Sequence, residues 1–360
     1  MPTGSTPAGA IGSARASRGS DVARGGPNRP APPAAAPASP DVRYEDRYQA
    51  ASRYYVQGET MESIAKQLML SRSTVSRLLR EARDQGLVRI TLADHAGSTS
   101  SPALALADAF GVRVHLVAVR ASATETARLD QVAKMAGGLL TEAVGDHDVI
   151  GVAWGATVSR VVQHVSRRPL TGATAVQLNG GANPRGFGLS YTGEILRALA
   201  DAFDADLAPF PLPAFFDQPV ARDVMWQERS VQQVLDLRAR ADIAVFGVGS
   251  LQARTRCEVY SAGYLDDADV ARLALDGVVG DVCTVLLREN GTWADIPFNR
   301  RATGPTPAEL RRIPRRICVA ADAARVAAVV GALRAGVATD LVIDSETARA
   351  VLDRIGAPTR

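Results

Sequence analysis

From Asp41 onward, apolar residues recur at helical spacing. Tyr44, Tyr48, Ala51, Tyr55 and Val56 outline a first helix ending near Gly58. Met61, Ile64, Ala65 and Leu68 stripe a second helix, with Thr60 as its N-cap. After a turn at Met69-Leu70, Ser71 caps a third helix whose inner face is Val75, Leu78, Leu79 and Ala82. Leu87 to Leu92 then alternates like a short strand, which predicts a wing. Pro102 opens a helix to about Phe110, and from there strands and helices alternate to the C-terminus. Strands are predicted at 112–119, 149–153, 173–178, 206–210, 243–248, 281–287, 316–320 and 340–343. Helices are predicted at 125–144, 156–165, 191–203, 223–239, 267–275, 323–333 and 347–355. Such alternation implies an α/β fold, Rossmann-like, with a mostly parallel sheet. The boundaries expected are a disordered tail over 1–40, a helix-turn-helix domain over 41–93, a linker over 94–101 and an effector domain over 102–360. The tail is Ala, Pro, Gly and Ser with scattered arginines and has no apolar period.

The third helix carries Arg72, Ser73, Thr74, Ser76, Arg77 and Arg80 on its outer faces. Two short helices, a tight turn and a basic second helix make the sequence form of a DNA-reading element. Two helices that cross steeply need a small residue at the approach, and Ala65 supplies it. The turn usually prefers Gly, whereas Met69 stands near that place. The formal net charge of the 360 residues is only +3, so the DNA reading rests on local clustering of arginine. Arg72, Arg77 and the others nearest the N-terminus of this helix are placed to meet base edges or flanking phosphates, and Arg80 to meet phosphate.

Three cysteines, Cys257, Cys283 and Cys318, form an odd and sparse set that suits a reducing, cytosolic compartment. The N-terminus shows no apolar signal-peptide core, and no apolar run is long enough to span a membrane. His95, His115, His147 and His164 lack ligand spacing, so no metal site is expected, and no cofactor motif is present.

Four loops in the second domain follow the rule that ligands sit at the carboxyl ends of parallel strands. In the first, a strand ends at Gly155-Ala156-Thr157 and a helix begins, which would aim backbone N–H groups and the Thr157 hydroxyl at a phosphate or carboxylate. The others offer Asn179 and Gly180, then Gly247 and Gly249, then Asp281. Asn179 is placed to reach a sugar hydroxyl and Asp281 to accept from hydroxyls. The Gly247–Gly249 loop lacks the third glycine of a dinucleotide fingerprint, and each of these loops taken alone reads first as a turn. Trp154 either covers a ligand or packs half-buried. An enzyme is the rival reading. Asp281 and Glu258 are the candidate base and acid, but the sequence offers no compelling pair.

The order of YYVQGETMESIAKQLMLSRSTVSRLLREARDQGLVRI, IGVAWGATVSRVV, VQLNGG, FGVGS, GVVGDVCTVLLRENG and DLVIDSETARAVL resembles the SorC family (SorC/DeoR type) of bacterial transcriptional regulators. The resemblance covers about Tyr44 to Ala357. It implies a winged helix-turn-helix joined to an effector domain similar in fold to glucosamine-phosphate deaminases and ribose-phosphate isomerases. It also implies a double-stranded DNA operator, a carbohydrate or sugar-phosphate effector, and a homo-oligomer, dimer or tetramer. Gly155, Ala156 and Thr157 match the family loop that grips the effector phosphate, but Ala156 replaces a hydroxyl residue common there. Arg325 aligns with a family Lys and Asp322 stands where Gly is usual. Arg cannot form a Schiff base but can clamp an anion.

Overall fold

A computed structural model of the chain describes residues 40–88, 102–182, 188–251, 253, 257–261 and 263–357. The tail to residue 39, the wing residues 89–92 and the linker over 94–101 lie outside the described residues. The chain divides into two compact units, Met1–Val88 and Arg89–Arg360.

In the first unit, α1 (Pro40–Ala51) runs on into one π-helical turn, Ser52–Val56. Helices α2 (Met61–Gln67) and α3 (Arg72–Asp84) follow. Both expected caps form: the Thr60 hydroxyl accepts from Ser63 N at 3.2 Å and the Ser71 hydroxyl from Thr74 N at 3.0 Å. The stripes meet as predicted, burying Ile64 and Ala65 against Val75, Leu78, Leu79 and Ala82. Met69 takes the left-handed conformation (φ 54°) with its side chain 92% exposed. A non-glycine there costs roughly 1–2 kcal/mol, and no packing offsets it.

The second unit begins with α4 (Pro102–Phe110), β1 (Arg113–Val117), α5 (Glu125–Ala143), β2 (Val149–Val152) and α6 (Ala156–Gln163). It continues through β3 (Thr174–Gln177), α7 (Gly188–Phe203), β4 (Asp206–Ala208), α8 (Pro219–Met225), α9 (Arg229–Ala239) and β5 (Ile243–Gly247). Then come β6 (Gly249–Ser250), α10 (Glu258–Ser261), α11 (Asp267–Leu275), β7 (Val278–Val282), β8 (Val285–Arg288) and α12 (Pro307–Leu310). The chain closes with β9 (Arg315–Ala320), α13 (Val326–Arg334), β10 (Asp340–Asp344) and α14 (Ser345–Ile355). Seven strands form one sheet in the order β1-β10-β9-β5-β2-β3-β4, with every pair parallel. Central strands of such sheets are covered on both faces and read as unbroken apolar runs. Accordingly β10 (DLVID) is buried at every position, and β5 (IAVFG) at every position but Gly247.

Two expectations need correction. The single helix predicted over 223–239 is two helices, α8 and α9, broken at Trp226. Trp226 packs edge-on to Phe210 and Phe216 at 5.9 and 6.4 Å, with the Arg222 guanidinium over its ring. Filling that satellite core outweighs helix continuity. The strand predicted over 281–287 is a hairpin, β7 turning into β8 at Cys283-Thr284, in a second, antiparallel sheet β6-β7-β8. Both turn residues have positive φ, 50° and 69°. Two-residue hairpins normally use Asn-Gly or Gly for this, so the Cys-Thr pair gave no turn signal.

Candidate functional site

Strands β2 and β5 lie side by side. Within this sheet the strand that follows β2 is β3, on one side, and the strand that follows β5 is β9, on the other. The divergence opens a crevice at the carboxyl ends, where ligands bind in open α/β sheets. A cleft of about 200 Å³ occupies that place. Its walls include Gly155, Ala156, Thr157, Asn179, Gly247, Gly249, Asp281 and Arg325, so eight of the nine sequence-derived effector residues come together there.

The ninth, Gly180, does not line the cleft. A Cβ on it would stand 2.3 Å from the Pro213 carbonyl oxygen, so glycine is needed for close backbone approach. Its N–H donates to the Thr303 hydroxyl at 3.0 Å, and its carbonyl accepts from Trp154 Nε1 at 2.8 Å. Gly180 is therefore scaffold for its neighbour. The Leu178 carbonyl accepts from the buried Arg238 at 3.1 Å, and the Asn179 carbonyl from Gln177 Nε2 at 2.7 Å. These bonds fix the loop while leaving the Asn179 Oδ1 atom buried and, among the described residues, without a hydrogen-bond partner. A buried unsatisfied acceptor costs about 1–3 kcal/mol. A ligand donor would remove that cost.

Helix α6 starts at the cleft. Its N-cap is Gly155 (φ 129°), which offers no capping side chain, and no acidic residue stands in the first turn. The first-turn amides of a helix lack internal partners and carry its positive dipole end. Gly247 lets this start sit close: a Cβ there would be 3.1 Å from Thr157 Cβ. Trp154 is buried, where one of the two expectations had it half-buried. It lines the cleft and is 92% buried, stacked on Tyr264 at 5.1 Å.

Asp281 is buried at the hairpin end. Its Oδ1 accepts from the Tyr260 hydroxyl at 2.8 Å and its Oδ2 from Thr284 N at 3.0 Å. The carboxylate thus ties the second positive-φ turn residue, Thr284, to the cleft wall. Burial raises its pKa to about 6, against the lowering effect of the Tyr260 and Thr284 bonds and of Arg325. Arg325 donates from Nη1 to the Val248 carbonyl at 3.0 Å and to Cys257 Sγ at 3.2 Å. Its Nε makes no hydrogen bond and has the Asp322 carboxylate at 3.8 Å. Burial raises the Cys257 thiol above its ordinary pKa, although Arg325 opposes it.

Cys257, Thr284 and Tyr260 were not expected here. Cys257 and Thr284 line the cleft, and Tyr260 holds Asp281 from behind. No local pattern marks them: Cys257 and Tyr260 reach the site through Arg325 and Asp281, 68 and 21 residues on, and Thr284 through a hairpin turn with no turn residues in it. The Glu258 side chain lies outside the described residues.

Asp281 makes stability depend on pH. A folded pKa near 6 lies above the ordinary value of about 4, so the folded state holds more protons between them. Stability contributed by Asp281 is therefore present in full below about pH 4, declines as pH rises to about 6, and is flat above. Compared with Asp281→Asn, the natural chain should lose on the order of 2–3 kcal/mol across that window in denaturant unfolding. Parallel pH profiles of the two proteins would refute the buried-acid assignment.

On α3, Arg72, Ser73, Arg77 and Arg80 are exposed. Ser76 is half-buried. The Thr74 hydroxyl lies 2.8 Å from the Ser71 hydroxyl within the cap, so its first role is to close the helix start.

Residues 95–353 match a family model described as "Putative sugar-binding domain". Over 305 residues the chain is 29% identical to the deoxyribonucleoside regulator of Bacillus subtilis (strain 168), spanning 85% of this chain and 96% of that one. A crystal structure of a domain of a possible sugar-binding transcriptional regulator from Arthrobacter aurescens TC1 superposes with a TM-score of 0.67 at 42% identity, covering 72% of this chain and 100% of that one. The full-length sorbitol operon regulator SorC of Klebsiella pneumoniae shares the fold with a TM-score of 0.68 at 23% identity, covering 88% and 100%. The chain belongs to the sugar-binding-domain family of SorC-type transcriptional regulators.

Proposed function

We propose that this protein binds a double-stranded DNA operator through α3 and that a carbohydrate or sugar phosphate in the β2/β5 cleft sets its operator affinity. The observation that carries the effector half is Asn179 Oδ1, a buried acceptor with no partner among the described residues, in a loop pinned by its neighbours. A sugar hydroxyl supplies the missing donor, and Asp281 supplies a second acceptor. The α6 amides and the Thr157 hydroxyl supply donors. Contacts of Arg72, Ser73, Thr74, Ser76 and Arg77 with bases or flanking phosphates, and of Arg80 with phosphate, carry the DNA half. Residues 41–93 form the DNA-binding domain, 94–101 the linker and 102–360 the effector domain. The working state is a homo-oligomer in the cytoplasm, since a dyad-related pair of α3 helices reads two half-sites.

Catalysis is the weaker reading. Asp281 has the raised pKa of a general base, but Tyr260 and Thr284 N already occupy its two oxygens. Those bonds suit an acceptor that holds a hydroxyl. The test is operator binding by the full chain with and without a panel of sugars, polyols and their phosphates. A ligand that shifts operator affinity without being consumed supports regulation. Turnover of a sugar phosphate, or operator affinity that no panel member alters, defeats it.

A further inference from the structure

Arg325 is the sole cation among the described residues that line the cleft. The two lysines of the chain, Lys66 and Lys134, are not among those residues. Arg325 is committed at Nη1, which donates to the Val248 carbonyl and Cys257 Sγ, while its Nε has the Asp322 carboxylate at 3.8 Å and no hydrogen bond among the described residues. Asp322 holds φ 102°, a backbone region that favours glycine. Its Oδ1 accepts from Ala324 N at 2.8 Å, while its own N–H donates to the Thr347 hydroxyl at 3.1 Å. A strained residue persists only when its surroundings over-determine it, and such strain clusters at ligand sites. Asp281 adds a second carboxylate, ionised for the most part above pH 7 because its pKa is about 6.

Asp322 stands 3.8 Å from the guanidinium just outside the cleft lining, and Asp281, within the lining, feels it through space, so two carboxylates balance one guanidinium. The α6 start adds the equivalent of about half a positive charge. Among the described residues, the cleft therefore has no net positive charge to hold a group that carries about −1.5 to −2 at neutral pH. It does have an unpartnered acceptor at Asn179, a second at Asp281, and donors from α6 and Thr157. That set matches hydroxyl groups, which both donate and accept.

We propose that the effector is an unphosphorylated polyhydroxy compound, a sugar or polyol, and that Asp322 is the residue that excludes the phosphorylated form by neutralising Arg325. The proposal rests on the reading of this cleft as the effector site. Asp322 acts through Arg325 and is a specificity-determining residue.

The probe is inorganic phosphate, titrated into the full chain at constant ionic strength and pH 7.5 and followed by calorimetry. The natural protein should give no saturable binding. Asp322→Asn keeps an oxygen for Ala324 N and removes the charge, so it should fold and gain phosphate affinity on the order of tenfold or more. Adding Arg325→Gln to that variant should remove the gain. In thermal shifts of the natural protein, a parent sugar or polyol should stabilise more than its phosphate monoester. Saturable phosphate binding by the natural protein overturns the proposal. So does an Asp322→Asn variant with no gain, or a phosphate monoester that stabilises more than its parent. The phosphate titration needs neither operator nor sugar. If no panel compound alters operator affinity, the regulator reading fails separately from the charge result.

Discussion

Gly249→Ala is expected to weaken effector binding about ten- to hundredfold while leaving DNA binding by the ligand-free protein intact. A Cβ at 249 would stand 1.9 Å from Asp281 Oδ1 and 2.8 Å from its Cγ. Real side chains never approach so closely, so Asp281 or the strand must move. The strand is constrained, because Gly249 pairs with Asp281 in the β6–β7 ladder. Opposite it, a Cβ on Gly280 would lie 2.0 Å from the Gly249 carbonyl oxygen, so these backbones are already at their closest approach. The carboxylate therefore gives way, losing the Tyr260 and Thr284 bonds that hold it at the cleft. Overpacking of this kind costs about 1–3 kcal/mol, less than the stability of an ordinary domain, so the variant should fold. Losing an ionised acceptor for the ligand costs about 1.5–3 kcal/mol, or about ten- to hundredfold in effector affinity. The control is Gly138→Ala on α5, where a Cβ meets nothing within 4 Å. It should leave the response unchanged and add up to about 1 kcal/mol through helix propensity. A Gly249→Ala protein with a full effector response would place the effector elsewhere.

Local signals were legible in the sequence and distant ones were not. Thr60 and Ser71 were readable as caps because a cap acts within three residues of itself. Gly155-Ala156-Thr157 was readable because a strand, a small-residue turn and a helix follow one another directly. The parallel sheet showed as apolar runs such as Leu341–Ile343. Gly180 was misread because a glycine after a strand serves equally for ligand approach and for backbone packing. Only the Pro213 carbonyl, 33 residues on, decides between them. The turn at Cys283-Thr284 was invisible because its left-handed geometry is imposed from outside. Asp281 holds Thr284 N, and Gly304 leaves space for the Cys283 carbonyl, which a Cβ would meet at 1.6 Å. Cys257 reaches the site through Arg325, 68 residues away, which no local pattern records. The cleft's floor and its charged residues Asp281, Asp322 and Arg325 were therefore readable, and the hydrogen bonds that hold them were not.

Arg77→Ala should weaken operator binding about ten- to hundredfold with almost no change in folding stability. The side chain is 68% exposed, and its described ionic contact is Glu81 at 3.7 Å, one helical turn away. Such a pair contributes about 0.3–0.5 kcal/mol, and Glu81 keeps Arg47 at 3.7 Å as a second partner. The buried face of α3, from Val75 to Ala82, is untouched. A bidentate arginine–guanine contact is worth about 1–3 kcal/mol of discrimination, so the loss should fall on one base pair of each half-site. Arg80→Ala separates this from a general electrostatic effect. If Arg80 meets phosphate, its removal should weaken all sequences alike and reduce the salt dependence of binding by about one ion. Arg77→Ala should instead relax specificity at a single position with a smaller change in salt slope. Selection of operators from a randomised pool, run with each variant, reads both outcomes. If Arg77→Ala binds every sequence more weakly by the same factor, Arg77 is a phosphate contact and base reading falls to Arg72, Ser73 and Ser76. If neither substitution changes operator affinity, α3 is not the reading helix.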